Sequence, residues 1–165
     1  MSTQVTLSNA IREGSKFRLQ GFDDFFGKRS LEYTSCALGA AFEIIHGRYR
    51  GDPMDPYEAD LVKIIKDAFP ILSKPVPLHL IKKYNISVLS CVHTIENPPE
   101  GFSTIGFFAF ITTLNDIFRL SREAIADIIE NEVESKVPHL CTYAFPDSSY
   151  HEDESVTEGL EIKDE

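Results

Sequence analysis

The chain has 165 residues, 42% of them hydrophobic and 25% charged, with a formal net charge of −10. That length is enough for one domain with a real core, and no stretch approaches the roughly 20 apolar residues that a spanning helix needs. An acidic balance disfavours unspecific attachment to nucleic-acid phosphates.

The charge is uneven. Residues 147–165 hold eight Asp and Glu against one Lys, which accounts for −7 of the −10. The expected organisation is therefore a globular domain over 1–146 followed by an acidic, flexible tail over 147–165. Val156, Leu160 and Ile162 give that tail apolar side chains with which it could dock on a basic partner. Three scattered cysteines do not make a disulfide framework. The first residues lack a basic stretch leading into an apolar one. Both features point to the cytoplasm and away from a membrane.

Taken in chain order, Thr6 to Gly14 reads as a short helix, with Thr6 or Ser8 as its cap and Gly14 ending it in a left-handed conformation. Residues 15–33, including GFDDFFG, read as a connection pinned to the core by its aromatic side chains. SCALGAAFEIIH, residues 35–46, is a second helix closed by Gly47. Its small residues permit close backbone approach, so it is expected at the centre. GRYRGDPMDP is a loop. Tyr57 to Phe69 is amphipathic, with Leu61, Ile64, Ile65 and Ala68 on one face and Pro70 as the stop.

A short helix is expected around Leu78 to Lys83, ended by Asn85. ISVLSCVHTI, residues 86–95, is the best strand candidate. Asn97 to Gly101 is a turn, and Phe102 to Phe118 reads as one helix whose first half could instead be a strand. Ser121 caps a last helix, Arg122 to about Glu134, with Leu120 and Ile125 as a hydrophobic staple and Ile125, Ile128, Ile129 and Val133 as the buried stripe. Residues 140–145 make a final short strand. The sum is a mainly α fold, a bundle of five or six helices with a small two-stranded element; α+β is the alternative.

Three segments, TLSNAIREGSKFRLQGFDDFF, SCALGAAFEII and FITTLNDIFRLSREAIADIIENE, resemble a set of small bacterial and phage-encoded proteins. That set shares LSxAIRxG, S/T-CALGAA and LND-x4-S/TRE-x-IAD segments in this order. Its usual His after the LND unit and Trp in the last helix correspond here to Phe118 and to Ile128 or Ile129. The resemblance implies a bacterial or phage origin and carries no activity.

The candidate chemistry is sparse. SREAIADII is similar to the first helix of DNA-binding corners, but the following ENEVESKVPHL is too acidic to enter a groove, so nucleic acid is not an expected partner. Cys36 lies near a helix N-terminus, where a thiol can become a nucleophile if His46, His79, His93 or His139 supplies a base. A buried core cysteine is the plainer reading. Cys91 with His93, and His139 with Cys141, are each spaced to share one face of a strand. Two such strands could make a Cys2His2 zinc site, without the usual C-x2-4-C spacing. Phosphate-loop, dinucleotide, zincin and serine-hydrolase motifs are missing from the sequence. No catalytic residue or cofactor is therefore expected. The expected function is that of an accessory or regulatory protein working through contacts with another protein or itself, and Asn115, Asp116, Arg122 and Glu123 are the candidate docking residues.

Overall fold

The computed structural model describes residues 3–49, 58–87 and 94–146, leaving aside the side chains of Glu58 and Ala59. Among them are six α-helices and seven strands arranged in three small sheets, a mixed α+β architecture. The expected mainly α bundle is thus corrected.

Strand β1 (Gln4–Thr6) leads into α1 (Leu7–Gly14). Thr6 is the cap: its hydroxyl accepts the Asn9 N–H at 3.4 Å. Gly14 does not end the helix in a left-handed turn. It stays helical because α2 passes against it, and a Cβ there would lie 1.9 Å from the Ala40 carbonyl oxygen. Residues 15–36 are more than a connection. They build β2 (Leu19–Gln20), β3 (Phe26–Arg29) and β4 (Glu32–Ser35), in the order β2-β4-β3. β3 and β4 form a hairpin with Lys28 opposite Tyr33 and Arg29 opposite Glu32, while β2 runs parallel to β4. Of the aromatic side chains here, Phe25 and Phe26 are buried as expected, and Phe17 is exposed.

Helix α2 (Ala37–His46) is the centre of the fold, buried from Ala37 to Glu43. Its small residues serve close approach on two sides, α1 at Gly14 and the Phe25 carbonyl at Gly39, where a Cβ would lie 2.1 Å from oxygen. Gly47 ends it at φ +96°. Helix α3 (Glu58–Ala68) buries Ile65 and Ala68, and Leu61 and Ile64 pack partly buried against the core. After a 3-10 turn at Pro70–Ser73 come β5 (Pro75–Pro77) and α4 (Leu78–Lys83), with Asn85 in the left-handed region at φ +51°. The expected strand over 86–95 falls largely on residues outside the described ones; Thr94 makes an antiparallel bridge to Ile105.

The expected helix over 102–118 divides in two. Its first part is β6 (Phe102–Gly106), which pairs antiparallel with β5, and its second is α5 (Phe107–Asp116). The reason is a neighbour distant in sequence: β5 supplies an edge that 102–106 completes. Ser121 then caps α6 (Arg122–Ile129), accepting the Ala124 N–H at 3.1 Å. The last turn, Glu130–Glu134, is a π-turn rather than regular α-helix. β7 (Thr142–Ala144) returns antiparallel to β1, so the two ends of the described chain are tied together. Buried side chains from all six helices form one continuous core cluster.

Candidate interaction face

The expected docking residues do not share a surface. Asn115, on α5, is completely buried. Its Oδ1 accepts the Ala37 N–H (3.2 Å) and Gln20 Nε2 (3.1 Å), and its Nδ2 donates to the Gly21 carbonyl (3.0 Å) and Asp116 (2.6 Å). Arg122 is buried too. Its guanidinium donates to the Ser35 carbonyl and hydroxyl and to the carbonyls of Ser15 and Arg18. Burial lowers its pKa from the usual value, with the charges of Cys36 and Glu43 acting the other way. These two side chains bond backbone groups of segment 15–36 and the first N–H of α2, of which the Ser35 carbonyl also accepts the Gly21 N–H (2.9 Å); buried amides and carbonyls require such partners. Asn115 and Arg122 tie segment 15–36 to the helices. Glu123 is exposed and joins Asp127 and Glu130 around Arg12, whose pKa is raised by these three carboxylates.

The segment held by this hub carries the surface of interest. Arg18 reaches inward and donates from Nε and Nη2 to Glu43 Oε1 (2.8 and 2.7 Å). The same carboxylate oxygen accepts the Tyr49 N–H at 3.0 Å, while Glu43 Oε2 is buried without a partner among the described residues. Arg18 also lies over the rings of Phe26 (5.3 Å) and Tyr33 (5.7 Å), and Tyr49 stacks on Phe26 at 4.4 Å. Further out, Lys28 lies over Tyr33 (5.6 Å) and Arg48 over Phe17 (4.7 Å). Leu31 at the hairpin tip is 90% exposed and Leu19 on β2 is 54% exposed. Phe17 and Tyr33 are exposed as well. This mixture of aromatic, Arg and uncovered aliphatic groups is the composition that protein interfaces favour.

The described residues of the other candidate sites are spread over separate elements. Cys36 is the N-cap of α2, buried, with its Sγ accepting the Gly39 N–H at 3.3 Å. His46 stands ten residues further along the same helix, about 15 Å away by the helical rise, and stacks on Phe42. His79 and His139 are exposed on other elements. Cys91 and His93 lie outside the described residues, and so does the acidic segment 147–165. His139 and Cys141 do not share a strand face: His139 is exposed on the 3-10 turn Pro138–Leu140, and Cys141 after it is fully buried. Burial, with a contribution from the Glu134 charge, pushes the Cys141 thiol up to about 12. Among the described residues, no group of His, Cys, Asp and Glu is arranged to hold a metal ion.

Sequence reasoning passed over Arg18, Tyr33 and Glu43. One signal was present. Glu43 is a single carboxylate in the apolar run AAFEII, and a charge in a buried helix needs a cation beside it. No protein-family model matches the chain, and neither the curated proteins nor the solved structures give a match.

Proposed function

We propose that the chain is a small cytoplasmic accessory or regulatory protein of bacterial or phage origin, acting through protein–protein contacts made by exposed side chains of the β2-β4-β3 sheet. The observation that carries this reading is the concentration of exposed Phe17, Leu19, Leu31 and Tyr33 within seventeen residues of sequence, with Leu19 and Tyr33 on opposite sides of the sheet and Lys28, Arg29 and Arg48 exposed beside them. Full burial of Leu31, 90% exposed, is worth roughly 1.5–3 kcal/mol, and the partly covered Phe17, Leu19 and Tyr33 contribute less each. The exposed cations favour a partner surface that combines acidic and apolar groups. Among the described residues no helix is long and apolar enough to cross a membrane.

The test is a Leu19→Asp/Leu31→Asp double variant of the full chain. Both sites are exposed, so the urea midpoint should hold. Self-association by light scattering, or retention of a partner in matched pull-downs from the source cell, should be lost. If the wild type neither associates nor retains any protein that the variant fails to retain, this reading is wrong.

A further inference from the structure

We infer that an acidic peptide segment of a partner protein docks on the Tyr33 side of the β2-β4-β3 sheet, across the Phe17–Arg48 and Tyr33–Lys28 pairs. The inference rests on the contact surface proposed above and chooses one of its two sides. Residues opposite each other in a ladder share a face. Lys28 opposite Tyr33 and Phe26 opposite Ser35 therefore lie on one side, while Leu19, beside Thr34, lies on the other. Arg18 belongs to the first side as well, because its guanidinium lies over both Phe26 and Tyr33 (5.3 and 5.7 Å).

The three cations here are not equivalent. Arg18 is neutralised by Glu43 at 2.7 Å, and its side chain is only 9% exposed. Arg48 approaches the same Glu43 oxygen at 3.8 Å, too far for a hydrogen bond, and its side chain is 54% exposed. Lys28 is exposed and forms no ion pair among the described residues. Each of these two outer cations lies instead over an exposed ring, Arg48 over Phe17 (4.7 Å) and Lys28 over Tyr33 (5.6 Å). One pair leads into the other, since Arg48 and Arg18 share Glu43 and Arg18 lies over Tyr33.

The result is a row of rings and cations with a neutralised centre and two positive outer groups. A ring beneath a cation favours one placement of it, so less freedom is lost when a carboxylate arrives. Carboxylates complement Arg48 and Lys28, and apolar side chains cover Phe17 and Tyr33. A nucleic-acid strand could stack on the same rings, but two outer cations are few for a phosphate backbone, and the net charge of −10 opposes it. A peptide that intersperses Glu with apolar residues satisfies both halves of the row.

The test uses the full chain and a fluorescein-labelled nonapeptide of Glu and Leu, followed by anisotropy. Binding should saturate, with a Kd below about 1 mM. Lys28→Gln/Arg48→Gln should weaken it about five- to tenfold, the effect of losing two exposed ion contacts, with the urea midpoint unchanged. Lys74→Gln/Lys82→Gln removes the same charge from exposed positions on other elements and should leave binding within about twofold. No saturable binding by the wild type would overturn the inference. Equal weakening by the two double variants would overturn it in favour of unspecific charge attraction. Tighter binding of oligo(dT), weakened by the Lys28/Arg48 variant, would overturn it in favour of single-stranded nucleic acid. Leu19 lies on the other side of the sheet and Leu31 at the hairpin tip, so the Leu19/Leu31 test can succeed where this one fails, and the two failures are distinguishable.

Discussion

Asn115→Ala should destabilise the protein by roughly 4 kcal/mol, although the position contributes no apolar side chain. The substitution removes four hydrogen bonds. Two of the orphaned partners recover: Gln20 keeps its 2.7 Å bond to the Leu120 carbonyl, and half-buried Asp116 reaches water. The other two do not. The Ala37 N–H sits in the first turn of α2, where no intrahelical acceptor exists, and the Gly21 carbonyl is buried beneath the sheet corner. Each stranded buried group costs about 1–3 kcal/mol, and the emptied volume adds a smaller amount. Against a typical total of 5–15 kcal/mol, that loss is readily measured by equilibrium urea unfolding. Asn115→Asp sharpens the test. It keeps an acceptor for the Ala37 N–H, at a helix N-terminus that favours negative charge, but turns a second oxygen towards the Gly21 carbonyl. It should therefore fall between wild type and the Ala variant. A loss below about 1 kcal/mol for Ala, or equal losses for Ala and Asp, would refute the assignment of Asn115 as the tie between α5, α2 and the sheet.

Three other substitutions test the packing and charges around this hub. Gly14→Ala places a Cβ 1.9 Å from the Ala40 carbonyl oxygen, backbone against backbone, and should cost at least about 3 kcal/mol; a near-neutral thermal midpoint would mean that α1 and α2 can move apart freely. Arg12→Met removes the contacts to Glu123, Asp127 and Glu130, all more than half exposed. It should cost about 1 kcal/mol or less at low salt and less again at 0.5 M; a cost independent of salt would contradict a screened surface network. Cys141, with its thiol pushed up to about 12 from an ordinary 9.0, keeps its proton in the folded state after the unfolded chain has lost it. Its contribution is complete below pH 9 and is lost as the pH climbs towards 12, at up to roughly 1.4 kcal/mol per pH unit. Cys141→Ala should flatten the decline in urea stability between pH 9 and 11, and identical slopes for the two proteins would exclude this.

The helices were legible because their signals are local. Thr6 and Ser121 as caps, Pro70 as a stop and the spacing of Ile65 and Ala68 each act within a turn or two of their own position. Apart from β7, which falls within the strand expected over 140–145, the strands were not, because each is two to five residues long and depends on a partner elsewhere in the chain. FSTIG is apolar enough to extend the helix that follows it, and only the distant PVP strand turns it into β6. In GFDDFFGKRSLEYTS, the glycines and paired acids mask any alternation, so the hairpin reads as loop. The regular α6 pattern also ran too far. Glu134 accepts both the Ser8 N–H and its hydroxyl at 2.7 Å, and this buried carboxylate at the start of α1 is set by the π-turn at Glu130–Glu134. Such a widened turn leaves no trace in the hydrophobic period, which continues correctly through Ile129 and Val133.

The same reasoning explains why Asn115 and Arg122, two of the four candidate docking residues, are buried. Polar side chains at a helix corner are usually solvated, and on residue type alone Asn115 and Arg122 belong outside. Here the corner closes over a segment, 15–36, whose short strands leave many backbone groups unpaired, and Asn115 and Arg122 turn inward to pair them. Every polar group used this way is withdrawn from recognition. The apolar side chains of the segment are freed in exchange: with its backbone anchored from beneath through Ser15, Arg18, Gly21 and Ser35, the hairpin does not need Leu19, Leu31 or Tyr33 to hold it to the core. A hairpin anchored by polar bonds on its inner side can keep an uncovered face on its outer side without losing its register. That division of labour leaves Leu19, Leu31 and Tyr33 exposed on the sheet while Asn115 and Arg122 are buried at the helix corner.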